Sequence, residues 1–258
     1  MTAKPATAAV LIIGNEILSG RTKDKNLGTI ADALAARGID LMEARCVPDS
    51  EDEIVAAVQA LAARYSYVFS TGGIGPTHDD ITADAMARAF NTGISHHPEA
   101  VRLLMDFFRS IGREPNEARL RMARIPEGAS LIANPVSVAP GFRIENVFVM
   151  AGVPRIMQAM LEQIVPTLQG GVPVFTDGIV LEGGEGDVAT ALAAIQRSYP
   201  AVSIGSYPFE QPAGFATHLV ARSRDGAALN QAMADVKALA QSLSDAGKVR
   251  GWRPAEKN

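Results

Sequence analysis

Cysteine is almost missing from this chain of 258 residues, and the single one, Cys46, can form no internal disulfide and no thiolate zinc site by itself. A reducing, cytoplasmic setting is expected. Histidine occurs only four times. His78 and His218 are isolated and His96-His97 runs into Pro98, so none offers metal-ligand spacing. Neither sign of charge dominates: 24 basic against 28 acidic side chains give a formal charge of -4, with no broad attraction for polyanions, which excludes nucleic acid as a default partner. The apolar run Ala8 to Ile13 follows a polar stub containing Lys4 and is too short for a signal-peptide core or a membrane span. No export and no membrane attachment are expected.

What is present is ample core material. Hydrophobic residues make up 47% and charged residues 20% of the chain, and its length suits two globular units. The first half alternates β-rich runs with helical periodicity, the order that builds a parallel sheet with crossover helices. Ala8 to Ile13, Leu41 to Val47, Tyr67 to Ser70 and Val147 to Met150 read as strands. Leu27, Ile30, Ala31 and Leu34 form one stripe of a helix over 26–37 that Gly38 ends. Ser50 with Glu53 reads as a capping box opening a helix faced by Ile54, Val58, Leu61 and Ala62. Further helices are expected over 84–90, 99–111, 117–124 and 155–168. Gly170, Gly171 and Pro173 mark a boundary, giving domains 1–170 and 173–258. Beyond it the order is strand (174–181), helix (188–199), strand (202–207), strand (217–221), helix (227–243) and a short strand near 248–252, a split βαβ, ferredoxin-like arrangement.

Chemistry concentrates in Thr71 through Thr82, TGGIGPTHDDIT, placed where a buried strand ends and a helix begins. In open parallel sheets ligands bind beyond the carboxyl ends of strands. Gly72, Gly73 and Gly75 would let backbone amides approach a phosphate, and the following helix start favours an anion. Two adjacent carboxylates, Asp79 and Asp80, would repel a bare phosphate, which points to an intervening divalent cation; the alternative is that one of them merely caps the helix. Gly14-Asn15-Glu16 follows the first strand, and Glu16 offers a third carboxylate or is a loop acid facing water. Asn134 and Ser137 lie in a loop stiffened by Pro135 and Pro140 and could donate to a ligand or serve only as a connection. Arg119, Arg121 and Arg124 could bind phosphate, but three arginines on an amphipathic helix read rather as its solvated face. Cys46 reads as strand filler. No G-x-S-x-G elbow and no G-x-x-x-x-G-K-[ST] occurs, and Gly184-Glu185-Gly186 does not complete G-x-G-x-x-G, so serine-hydrolase, Walker and dinucleotide-fold readings fail.

Through Gly14 to Gly20, Thr71 to Thr82, Pro126 to Ala129, Asn134-Pro135, Ala139-Pro140-Gly141 and Gly152-Val153-Pro154, the sequence resembles the MoaB/Mog-like molybdopterin-binding domain, and more closely the amino-terminal part of the competence/damage-inducible protein CinA family. Gly186 to Ala189 and Gly205 to Pro208 extend the likeness to the family's small domain. The resemblance implies an α/β fold: a three-layer α/β/α domain with a mostly parallel sheet, then a small α+β ferredoxin-like domain. It puts Asp80 beside the pterin or nucleotide phosphate site and gives Ser137 a part in holding the ligand. Relatives carry a further carboxyl-terminal amidase domain that has no counterpart here, so deamidase activity is not expected. The ligand-contacting set expected is Gly14, Asn15, Glu16, Thr71, Gly72, Gly73, Gly75, Thr82, Asn134, Ser137 and Gly152, with Asp79, Asp80 and Glu16 holding a divalent metal (Mg, Mn or Co). The function implied is a metal-dependent pyrophosphohydrolase acting on ADP-ribose or a dinucleotide such as FAD. Molybdopterin binding or adenylyl transfer, and a non-catalytic nucleotide-binding module, are the alternatives. The family suggests a homo-oligomer.

Overall fold

The structure is a computed structural model that describes residues 6–212 and 214–255. The chain divides after Gly171 into two compact units.

The first unit runs β1 (Thr7–Ile13), α1 (Asn15–Leu18), α2 (Asn26–Ala36), β2 (Asp40–Val47), α3 (Glu51–Arg64), β3 (Tyr67–Thr71), α4 (Thr82–Ala89), β4 (Ile94–His96), α5 (Pro98–Ser110), α6 (Glu117–Leu120), β5 (Arg124–Pro126), β6 (Ser130–Ile132), β7 (Gly141–Ile144), β8 (Val147–Met150) and α7 (Pro154–Ile164). Six strands form one sheet in the order β2-β1-β3-β8-β7-β6. β1 is parallel to β2 and β3, and β3 to β8, while β7 is antiparallel to both β8 and β6.

Strand β1 shows why this unit is a three-layer sandwich. Successive side chains of a strand point to opposite faces. Ala9, Leu11 and Ile13 pack with Ile54, Val58 and Leu61 of α3 and Met86 of α4. Ala8, Val10 and Ile12 pack with Ile30 and Leu34 of α2 and Met157, Met160 and Leu161 of α7. A strand buried on both faces reads as the continuous apolar run seen in the sequence. Because α2 and α3 leave on opposite faces, the carboxyl ends of β1 and β3 flank a crevice of the kind where open sheets bind ligands.

Several expected elements are corrected. The helix expected over 117–124 stops at Leu120; a 3-10 turn over Arg121–Ala123 follows, and β5 then pairs antiparallel with β4. Pro126 has no amide to donate and disfavours helical geometry at Ile125, which turns the segment into a strand. Likewise α7 gives way to a 3-10 turn at Val165–Thr167, where Pro166 interrupts the ladder. Ser50 makes no side-chain cap bond, so there is no capping box; Glu51, Asp52 and Glu53 instead load the first turn of α3 with acid that suits the helix dipole.

On β2, Glu43 accepts from the Tyr65 hydroxyl at 2.7 Å and pairs with Arg45. The Tyr65 hydrogen bond and then the Arg45 guanidinium hold the Glu43 carboxyl below its ordinary pKa. A depressed carboxyl contributes stability above its unfolded value and loses it as pH falls through the folded value. Glu43→Gln is therefore expected to be less stable than wild type at neutral pH, with the gap closing as the acid limb is descended. Urea midpoints measured from neutral pH down to about 3 check this; a gap constant across that range contradicts it.

The second unit runs β9 (Phe175–Leu181), α8 (Ala189–Ser198), β10 (Ser203–Gln211), β11 (Gly214–Ser223), α9 (Gly226–Asp245) and β12 (Trp252–Pro254). Its sheet has the order β10-β11-β9-β12, all neighbours antiparallel, which is the ferredoxin-like pattern. Leu229, Met233, Val236, Ala240 and Leu243 of α9 pack on Ile179, Leu181 and Leu219 of the sheet. The final strand begins at Trp252, four residues later than the sequence suggests, because residues 246–251 turn out of the helix.

Candidate functional site

The loop after β3 is shaped by two glycines. Gly72 has φ +105 and its amide donates to the Met150 carbonyl; a Cβ there would lie 2.1 Å from the Ile13 carbonyl oxygen. Gly73 has φ +66, and a Cβ on it would meet the Thr82 hydroxyl at 2.1 Å. Only glycine combines that backbone with that proximity. Thr82, fully buried, donates from Oγ1 to the Gly72 carbonyl and from its amide to the Gly73 carbonyl. It is the clasp of the loop. Beyond it, the amides of Gly73, Ile74 and Gly75 make no hydrogen bond with any described residue.

Asp80 is held over this turn. Its Oδ2 accepts from the amide and hydroxyl of Thr77, and its carboxylate lies so close to Gly75 that a Cβ there would sit 2.6 Å away. No described residue donates to Oδ1. Asp79 differs: its side chain is 62% exposed, 4.0 Å from the His78 imidazole, and outside the cavity. Hydrogen bonding within the loop holds the Asp79 carboxyl below the ordinary range. Neither aspartate caps the helix, since the cap position of α4 is Ile81 and carries no side-chain bond.

One cavity of about 500 Å³ collects most of these groups: Glu16, Gly72, Gly73, Gly75, Asp80, Asn134, Ser137 and Gly152 all line it, and Gly152 packs so close to Gly72 that a Cβ on it would lie 3.2 Å from the Gly72 Cα. Gly14 does not line it. Its lack of a side chain lets Glu16 fold back, since a Cβ on Gly14 would lie 2.5 Å from the Glu16 carboxylate. Asn15 does not line the cavity, and its backbone amide donates to Asp49 Oδ2 at 2.8 Å. Thr71 is 1% exposed at the end of β3 and lies behind the wall, as does Thr82. Among the described residues no three His, Cys, Asp or Glu side chains converge as a metal-ligating group. The set Asp79, Asp80 and Glu16 is therefore not a preformed cage.

Asn134, expected to reach for a ligand, is spent inside its own loop. Its Nδ2 donates to Ser137 Oγ at 2.7 Å and to the Ala139 carbonyl at 2.8 Å, and its Oδ1 accepts from the amides of Val136 and Ser137. These bonds hold Val138 at φ +68, a conformation that costs a β-branched residue about 1–3 kcal/mol. Cys46 is half-buried, and burial, then the acids Asp24, Glu16 and Asp49, push its thiol pKa up, away from the reactive thiolate.

Sequence reasoning set aside three arginines that prove to have separate lives. Arg119 stacks on Phe108 at 4.6 Å, and Arg124 makes a two-pronged pair with Asp84 at 2.6 and 3.0 Å. Arg121 lines a recess with Gly73, Gly75 and Asp80, residues that also line the main cavity. The only signal in the sequence was the break of helical pattern before Pro126.

Residues 9–170 match the family described as probable molybdopterin binding domain, which is well over half of the chain. The CinA protein of Thermoplasma acidophilum, a solved structure titled as of unknown function, is 32% identical with a TM-score of 0.59, covering 63% of this chain and 98% of that one. This chain belongs to the CinA family. A CinA-like protein of Desulfosudis oleivorans is 41% identical over 64% of this chain, and a protein of Caldivirga maquilingensis 38% identical over 68% of this chain and 70% of its own length. The CinA-family match spans only 42% of the Desulfosudis relative's length. Residues 173–245 match the family described as FAD synthase, middle domain. The combination of a molybdopterin-binding-type unit and an FAD-synthase-type unit associates the chain with small, nucleotide-related ligands. Among the described residues no helix is long and apolar enough to cross a membrane.

Proposed function

We propose that this CinA-family chain is a nucleotide pyrophosphohydrolase that splits the diphosphate of ADP-ribose or a related dinucleotide such as FAD. The observation that carries the reading is the convergence, in one cavity, of three unbonded amide-bearing loop residues, Gly73 to Gly75, with the fixed carboxylate of Asp80 and with Glu16. Amides without partners are donors for phosphoryl oxygens, and they are already in place when charge develops on those oxygens. Asp80, locked through Oδ2, leaves Oδ1 to accept the proton of a water attacking phosphorus; the new P–O bond forms as the bridging P–O bond breaks and AMP leaves. Glu16 and Asp80, which both line the cavity, suit a cation such as Mg²⁺, which takes one or two carboxylates and fills its remaining positions with water and substrate phosphate. When bound, magnesium, manganese or cobalt would offset phosphate charge and lower the pKa of the attacking water. Asp79, which does not line the cavity, is given no ligand role in this reading.

Incubation of the purified chain with ADP-ribose or FAD and each of the three metals is expected to release AMP. No release with any metal overturns the reading. The match of residues 9–170 to molybdopterin-binding domains supports a second reading, binding or adenylylation of molybdopterin in the same cavity. ATP-dependent adenylation of the pterin, with no AMP from ADP-ribose, would favour it. Tight nucleotide binding without any turnover would favour a binding module. Self-association, suggested by the family, is checked by sedimentation.

A further inference from the structure

The recess beside the main cavity contains a cation without a counter-ion. Arg121 is half-buried, its Nε is fully shielded from solvent with no hydrogen-bond partner, and its Nη2 reaches only the Asp80 carbonyl at 3.5 Å. No carboxylate pairs with it among the described residues, whereas its neighbours are satisfied: Arg124 by Asp84, and Arg119 by the ring of Phe108. A guanidinium stripped of part of its water and left unpaired is costly unless an anion supplies the missing bonds. The recess itself, about 20 Å³, has room for a water only, so a larger anion would lie in the adjoining 500 Å³ cavity and meet Arg121 across the shared wall of Gly73, Gly75 and Asp80. Arg121 shares the recess with Gly73 and Gly75, whose amides are unbonded, and with the start of α4, where Ala83 and Asp84 line the wall. Asp84 would oppose an anion there, but the Arg124 fork neutralises it.

We propose that Arg121 is the anion anchor of the site, its guanidinium taking the oxygens of one phosphoryl group of a diphosphate laid along Gly73 to Gly75. The 3-10 turn of residues 121–123 is what aims it. Had α6 continued as an α-helix to residue 124, Arg121 and Arg124 would lie on one face and compete for Asp84; the turn and the strand after it send Arg124 to that carboxylate and leave Arg121 for the ligand. This inference deepens the reading above and rests on it for the nature of the ligand, though not for the anion itself. The planar fork of arginine matches phosphate oxygens two at a time, which a lysine cannot do.

The test uses inorganic pyrophosphate as the probe, with the whole chain and titration calorimetry, with and without magnesium. Wild type is expected to bind it, Arg121→Gln to bind about 10- to 100-fold more weakly, and Arg121→Lys to recover part of the loss. Arg119→Gln, at the stacked neighbour, is expected to bind as wild type does. Unfolding midpoints without ligand check that each variant is folded; should Arg121→Gln not fold, the Lys variant alone decides, because a merely structural cation would leave its pyrophosphate affinity unchanged. Absence of pyrophosphate binding to wild type, or equal affinity in wild type and both Arg121 variants, overturns the proposal. AMP release that survives in Arg121→Gln with unchanged KM overturns the anchor and spares the hydrolase reading. Pyrophosphate binding lost in that variant, with no nucleotide turned over by wild type, does the reverse.

Discussion

Asp80→Asn is expected to lower AMP release from ADP-ribose by about 10²- to 10⁴-fold while leaving the unfolding midpoint nearly unmoved. The substitution isolates charge from shape. An asparagine at this position can still present its carbonyl oxygen to the amide and hydroxyl of Thr77, the two donors that hold the Asp80 carboxylate. Its NH₂ then faces the cavity in place of Oδ1, and neither accepts a proton nor holds a cation. Asp79→Asn, one residue away, removes the same charge from a side chain that is outside the cavity, and is expected to leave the rate within about threefold, the scale of a screened surface charge. Steady-state kinetics of the two variants with magnesium make the comparison. Equal losses in both, or no loss in Asp80→Asn, contradict the role given to Asp80.

The second large effect is structural. Gly72→Ala is expected to destabilise the first unit by about 2–4 kcal/mol, the sum of a left-handed backbone imposed on a residue with a Cβ and a collision with main chain. The new carbon would lie 2.1 Å from the Ile13 carbonyl oxygen, which belongs to the last residue of β1 and cannot swing aside as a side-chain tip would. The loop would have to lift away from β1, and the amides of Gly73 to Gly75 would move with it, so ligand binding should fall too. Gly20→Ala provides the control: it also has a positive φ, +72, but a Cβ there meets nothing within 4 Å, so only the backbone term of about 1 kcal/mol remains. Urea unfolding of both variants gives the difference. Similar costs for the two would show that the contact with β1 does not matter.

Much of the scaffold was legible because the central strands β1, β3 and β8 are buried on both faces. Ala8 to Ile13 announces itself as an apolar run, and the stripe Ile30 and Leu34 reports the helix that covers it. What escaped was short and aperiodic: β4, β5 and β6 have three residues each and β7 four, too few for any period to register. The site was legible as a region rather than as a set of roles. Asp79 and Asp80 are chemically identical neighbours in sequence, and only the Thr77 bonds, three residues back, fix which one turns inward. The pairing of Arg124 with Asp84 joins residues 40 apart, so nothing local separates Arg124 from Arg121. Thr82 and Gly14 look like ligand contacts in a motif, and in space they are the clasp and the clearance that let Gly73 and Glu16 reach the cavity.

Asn134 already spends all four of its bonds on residues 136 to 139, so that side of the cavity arrives rigid, with Val138 forced into its unfavourable backbone before any molecule enters. A ligand entering the cavity therefore faces little ordering cost from this segment. Val138, which does not line the cavity, carries the strained backbone that lets its neighbours Ser137 and Ala139 do so.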